Sequence, residues 1–116
     1  MLRVADFRRI ALGMTGAVEG AHMGHPDFRA NGRIFASLHP EHGRGMVKLS
    51  LDEQAHFVEE HPAAFMPENG AWGRQGYTRV QLDAIDRDTL GEAMTLAWQG
   101  IAKEVVAKRS RPKRKR

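Results

Sequence analysis

Asn31-Gly32 limits the folds open to this chain more than any other pair of residues in it. Both residues accept positive φ, which a type I′ turn needs at its two central positions, and that turn joins antiparallel strands whose twist it matches. Strand-like residues lie on both sides. Asp27 to Ala30 reads as one strand, with His25-Pro26 at its start, since proline cannot donate a ladder hydrogen bond. Arg33 to His39 reads as the next. Its alternation places Ile34, Ala36 and Leu38 on one face and Arg33, Phe35, Ser37 and His39 on the other. Pro40 to Gly45 reads as a loop. In the strand that follows, Val47 and Leu49 share a face opposite to Met46 and Lys48.

Helical signals flank this core. Val4, Phe7, Ile10, Ala11 and Met14 recur at three- and four-residue spacing, predicting a helix over Leu2 to Leu12 with Gly13 as a left-handed stop. Ala17 to His22 reads as a weak first strand. Ser50-Leu51-Asp52-Glu53 is a capping box, so a helix follows to Glu60 and ends before Pro62. Ala63 to Pro67 is expected to be irregular. Glu68 to Gly76 reads as a Gly-rich loop and Tyr77 to Asp83 as a strand. Asp86 is placed to cap the last helix, with Ile85 as its hydrophobic staple. Leu90, Ala93, Met94, Ala97, Trp98, Ile101 and Val105 form its apolar stripe. The expected fold class is α+β: an antiparallel β-sheet meander with N-terminal, inserted and long C-terminal helices packed on it.

At 116 residues the chain is long enough for one buried core. It has no cysteine, which excludes disulfides, thiolate zinc sites and thiol catalysis. No apolar run approaches the ~18 residues of a membrane helix, and the N-terminus lacks a signal-peptide apolar stretch. The cytoplasm is the expected compartment. The net charge of +4 is unevenly placed. Lys108, Arg109, Arg111, Lys113, Arg114, Lys115 and Arg116 put seven cations in the last nine residues, leaving residues 1–107 at −3. The expected organisation is a domain over 1–107 and a disordered basic tail over 108–116.

Asp6-Phe7-Arg8, Gly24-His25-Pro26-Asp27-Phe28, Gly32-Arg33-Ile34-Phe35-Ala36, Met46-Val47-Lys48-Leu49 and Trp72-Gly73 occur in an order and spacing that resemble the MmcQ/YjbR family. The resemblance spans about Val4 to Ala102. It implies a small α+β domain with an antiparallel sheet and flanking helices. It also implies DNA binding through a double wing of strand-loop-strand elements, and no catalytic motif.

On a winged reading, the carriers are the Asn31-Gly32 turn, the His39 to Gly45 loop and the Asn69 to Gly76 loop. Their cations are Arg29, Arg33, Arg44, Lys48, Arg74 and Arg79. Long cations on loops and strand ends suit phosphate contact, although scattered arginine on a solvated face is also ordinary. The tail cations suit non-specific contact with duplex DNA, another polyanion or an anionic surface, the alternative being a generic solubilising extension.

Other candidates carry less. Glu19, His22 and His25 have a ligand-like spacing, and His39 and His42 are a second close pair. Residues three apart on a strand face opposite ways, so His22 and His25 converge only if Gly24 bends the chain; ordinary surface or partly buried histidines are expected, with no metal site and no cofactor. Ser37 and Ser50 lack a base with an orienting partner, so no catalytic residue and no enzyme activity are expected. Gly70, Gly73 and Gly76 lack the strand-turn-helix setting of a phosphate loop. Trp72 is expected to anchor the core, with stacking on a base as its alternative. The expected function is DNA binding through hairpin loops and the basic tail. The alternative is a protein-interaction module that uses the sheet face or the Trp72 loop.

Overall fold

The protein is described by a computed structural model covering the backbone of residues 2–110 and the side chains of residues 2–101. The tail cations among residues 111–116, and the side chains of Lys108 and Arg109, lie outside the described residues.

The element order is α1 (Val4–Leu12), β1 (Val18–His22), β2 (His25–Ala30), β3 (Arg33–His39), β4 (Arg44–Lys48), α2 (Leu51–Glu60), β5 (Phe65–Pro67), α3 (Gly70–Arg74), β6 (Tyr77–Gln81) and α4 (Arg87–Ser110). The six strands form one antiparallel sheet in the order β1-β2-β3-β4-β6-β5. Asn31 (φ 55°) and Gly32 (φ 77°) both take the left-handed conformation, as a type I′ turn requires. The same turn chemistry recurs at Met23 (φ 49°) and Gly24 (φ 80°), which close β1 on β2. Nothing in a Met-Gly pair announces such a turn.

α1 and α4 pack on the central strands. Phe7, Phe28, Phe35, Leu38, Val47, Val80, Leu90 and Met94 are fully buried in that core. Ser50 caps α2 reciprocally: Glu53 N–H donates to Ser50 Oγ (3.1 Å) and Ser50 N–H to Glu53 Oε1 (2.9 Å). Asp86 caps α4 by accepting from Thr89 N–H (2.7 Å), and Ile85 and Leu90 on either side are buried.

Four local expectations are corrected. Phe35 is fully buried with Ala36 and Leu38, while Ile34 stands on the opposite face with Ser37 and His39. The cause is a β-bulge. Phe28 pairs with Ala36 but Arg29 pairs with Ile34, so Phe35 is an extra residue in β3 and the alternation changes phase there. Gly13 ends α1 in a right-handed conformation (φ −74°), and the left-handed residue is Gly16 (φ 75°). The segment after Pro62 holds β5, a three-residue edge strand too short for any periodicity to register. The Gly-rich loop holds the short helix α3.

Gly45 on β4 faces the ring of Phe7, and a Cβ there would fall inside the ring's van der Waals envelope. Both groups belong to the packed interior, so neither has room to yield. Gly45→Ala is expected to destabilise the fold by about 1–3 kcal/mol, read as a lower urea midpoint at unchanged slope.

Candidate functional site on the open face of the sheet

The face of the sheet opposite α1 and α4 is built from alternating residues, interrupted in β3 by the bulge: His22 on β1, Asp27 and Arg29 on β2, Ile34, Ser37 and His39 on β3, Met46 and Lys48 on β4, and Tyr77 and Arg79 on β6. His22, Ile34, Ser37, His39, Met46, Glu68, Trp72 and Tyr77 line a groove of about 410 Å³ on this face.

Trp72 forms the rim of the groove. Its side chain is 61% exposed, so the expected core anchor is not one. The reason lies in the neighbouring residue. Gly73 is buried with its Cα against the Glu68 carbonyl, where no Cβ fits, and this turns Trp72 outward. The indole packs edge-on against Tyr77, with ring centroids 5.2 Å apart. A buried polar network holds α3 in place. Gln54 Nε2 donates toward Gly73 O (3.1 Å), Tyr77 O (3.2 Å) and Thr78 Oγ1 (3.0 Å), and the Thr78 hydroxyl donates to Gly76 O (2.9 Å). Trp98, by contrast, is half-buried against the core, and its Nε1–H donates to Thr15 O (2.9 Å).

The candidate cations differ in setting. Lys48 Nζ lies 5.7 Å from the centre of the Tyr77 ring. Arg74 is exposed on α3. Arg33 is half-buried beside the Asn31-Gly32 turn. These three belong to one end of the sheet, because β3 starts there, β4 ends there and Tyr77 pairs with Lys48. Arg44 starts β4 at the opposite end, opposite His39, and its Nε is buried without a hydrogen-bond partner. Arg79 lies mid-sheet and is held by Glu68 (Nε to Oε1, 2.9 Å). The three expected wing loops therefore do not form one clamp. The Asn31-Gly32 turn and the 69–76 segment share an end, and the 39–45 loop is at the other.

Sequence reasoning missed a buried ion-pair cluster beside the groove. Asp27 is fully buried. It accepts two hydrogen bonds from Arg29 (Nε to Oδ1, 2.8 Å; Nη2 to Oδ2, 3.0 Å) and one from His22 Nδ1 (2.7 Å). Gly20 lies directly across from Asp27, and a Cβ there would stand 3.0 Å from Asp27 Oδ1. The glycine leaves room for the guanidinium–carboxylate pair to lie across β1. The available signal was Asp27-x-Arg29 on one strand face, with Gly20 and His22 brought alongside by a two-residue turn. The Arg29 hydrogen bonds hold the Asp27 carboxyl below the usual aspartate range; burial opposes them and the His22 bond assists.

The histidines also pair differently from their sequence spacing. His22 turns to Asp27, while His25 stacks on His39 with ring centroids 4.4 Å apart. Burial, and then the nearby charges of His25 and Arg44, push the His39 imidazole below its usual value.

A family model described as YjbR matches residues 12–100, and the chain belongs to the YjbR family. No curated protein matches it. Among solved structures, it is similar to the crystal structure of Deinococcus radiodurans protein DR2400, which carries the family domain DUF419. The TM-score is 0.78 at 18% identity, covering 90% of this chain and 81% of that one. At that identity the likeness is one of fold.

Asp27→Asn is expected to lower stability at pH 7 by about 1–3 kcal/mol, because Arg29 and His22 lose their acceptor. The pH dependence has a definite sign. A lowered folded-state pKa stabilises above the unfolded value, near pH 4, and that contribution is lost as pH falls through the folded value. Urea unfolding across acidic pH should therefore show a shallower decline for Asp27→Asn than for the natural chain. Parallel declines would mean that the cluster adds nothing to acid stability.

Proposed function

We propose that this YjbR-family chain is a non-enzymatic nucleic-acid-binding protein. Its contact surface is the end of the open sheet face that carries Trp72, Tyr77, Lys48 and Arg74. The observation that carries the reading is Trp72, 61% exposed and propped edge-on against Tyr77, with Lys48 beside the same ring. An exposed ring next to long cations suits a stacked base and its phosphates. The C-terminal basic run is a second source of cations. Leu96, Gln99, Gly100 and Ile101 of α4 flank a cleft with Lys48 and Ser50, and α4 continues to Ser110, through the start of that run. Phosphate contact by the run adds affinity without sequence preference.

A second reading has its own observation. Arg29 and Arg79 are each held by a carboxylate, so the middle of the open face is charge-balanced and the groove floor of Ile34, Ser37 and Met46 is largely apolar. That floor suits a protein segment better than a phosphate backbone.

Binding of fluorescent single-stranded and duplex oligonucleotides across a salt series tests the proposal. Seven tail contacts steepen the log–log salt slope by up to about 6 on duplex DNA, and replacing the tail cations with glutamine should remove that increment. Trp72→Ala should cost about 1–3 kcal/mol on single strands, the value of one base–aromatic stack. Binding that is unchanged in Trp72→Ala, Lys48→Gln and Arg74→Gln would sink the sheet-face contact. Absence of any oligonucleotide binding would favour the protein-docking reading.

A further inference from the structure

At the opposite end of the open face, His25 meets His39 and Glu41, which come from one continuous stretch of chain. His25 begins β2, His39 ends β3, and Glu41 lies on the 3-10 turn Pro40–His42 that follows. One ligand atom from each lies within 4.8 Å of the other two. The His25 and His39 rings stack at 4.4 Å, and His25 Nδ1 stands 3.7 Å from Glu41 Oε2. That separation is too long for a hydrogen bond, and His25 Nδ1 is buried with no partner. A buried ring nitrogen without a partner, facing a carboxylate across a gap, needs an acceptor, a donor or a metal between them.

We propose that His25, His39 and Glu41 form a binding site for a borderline divalent metal ion of the zinc class. Two imidazoles and one carboxylate make the three-protein-ligand set that zinc takes when it keeps a fourth position open. Zinc–nitrogen and zinc–oxygen bonds of about 2.0–2.2 Å require the donors to draw closer. Glu41 can supply that movement, since its side chain is 52% exposed on a one-turn segment. The rest of the frame is fixed by the sheet. Pro40 opens the turn, and Gly43 closes it in the left-handed conformation (φ 63°). The charges around the site are mixed. Arg44 lies opposite His39 and opposes a cation, whereas Glu41 and Glu68 both act on His39 with negative charge. His22 and His42 flank the site; His22 is engaged by Asp27, and His42 Nε2 is 3.9 Å from Glu41 Oε2. His39 also lines the Trp72 groove, so a bound ion would stand at the groove's edge with its open position available to an anionic or nitrogen ligand.

Isothermal titration of the untagged full chain with Zn²⁺ alone tests the site, with Co²⁺ as the spectroscopic probe. Equimolar saturable binding is expected, together with the visible bands of low-symmetry Co²⁺ and a rise in the thermal midpoint with added Zn²⁺. His25→Gln and His39→Gln should each weaken binding by more than about tenfold and abolish the Zn²⁺-dependent rise, and Glu41→Gln should weaken it less. Circular dichroism of each variant without metal separates loss of ligand from loss of fold. His56→Ala, on the exposed side of α2, should bind as the natural chain does. No saturable binding by the natural chain overturns the proposal. So does binding that His25→Gln and His39→Gln, both folded, leave unchanged.

Discussion

The open face depends on one irregularity in the sheet's hydrogen-bond ladder, the bulge at Phe35. A regular β3 paired to β2 without it would keep a strict alternation. Phe35 would then share a face with Ser37 and His39, and the core would lose one of its five fully buried phenylalanines. The extra residue lets Phe35 join Ala36 and Leu38 against the helices, while Ile34, Ser37 and His39 remain together on the other side. The groove floor, the His25–His39 stack and the pairing of Asp27 with Ser37 all follow from that register.

What could be read in advance follows from the range of each interaction. The Asn31-Gly32 turn, the Ser50–Glu53 box, the Asp86 cap and the alternation of Val47 and Leu49 are set by residues within four positions of each other, and all four stand as read. The failures come from contacts distant in sequence. Trp72 is exposed because Gly73 meets Glu68 and because Gln54 reaches across from α2. β5 exists because β6 offers it an edge. Phe35 is buried because the register with β2 slips by one residue, which no pattern within β3 records. The candidate site was partly legible for the same reason: its cations could be named, but the end of the sheet each one occupies is a property of strand order.

The open face also shows how charge is shared between structure and function. Asp27 and Glu68 each hold an arginine in place, so those two cations stabilise the sheet rather than present themselves to a ligand. The net acidity of residues 1–107 therefore says little about any single surface. What counts is which cations are committed to carboxylates, and Arg74 at the Trp72 end is exposed on its helix.

The strand order has a kinetic consequence. β1 to β4 join through neighbouring hairpins, whose closure costs little chain entropy. β6 reaches β4 only after the 28 residues from Leu49 to Gly76 have been looped out, and β5 then pairs with β6 alone. Contacts that close long loops are the slow ones to form. The four-stranded meander is thus the natural early assembly, and the β5–β6 pair bearing Tyr77 docks onto an edge that β4 exposes until then.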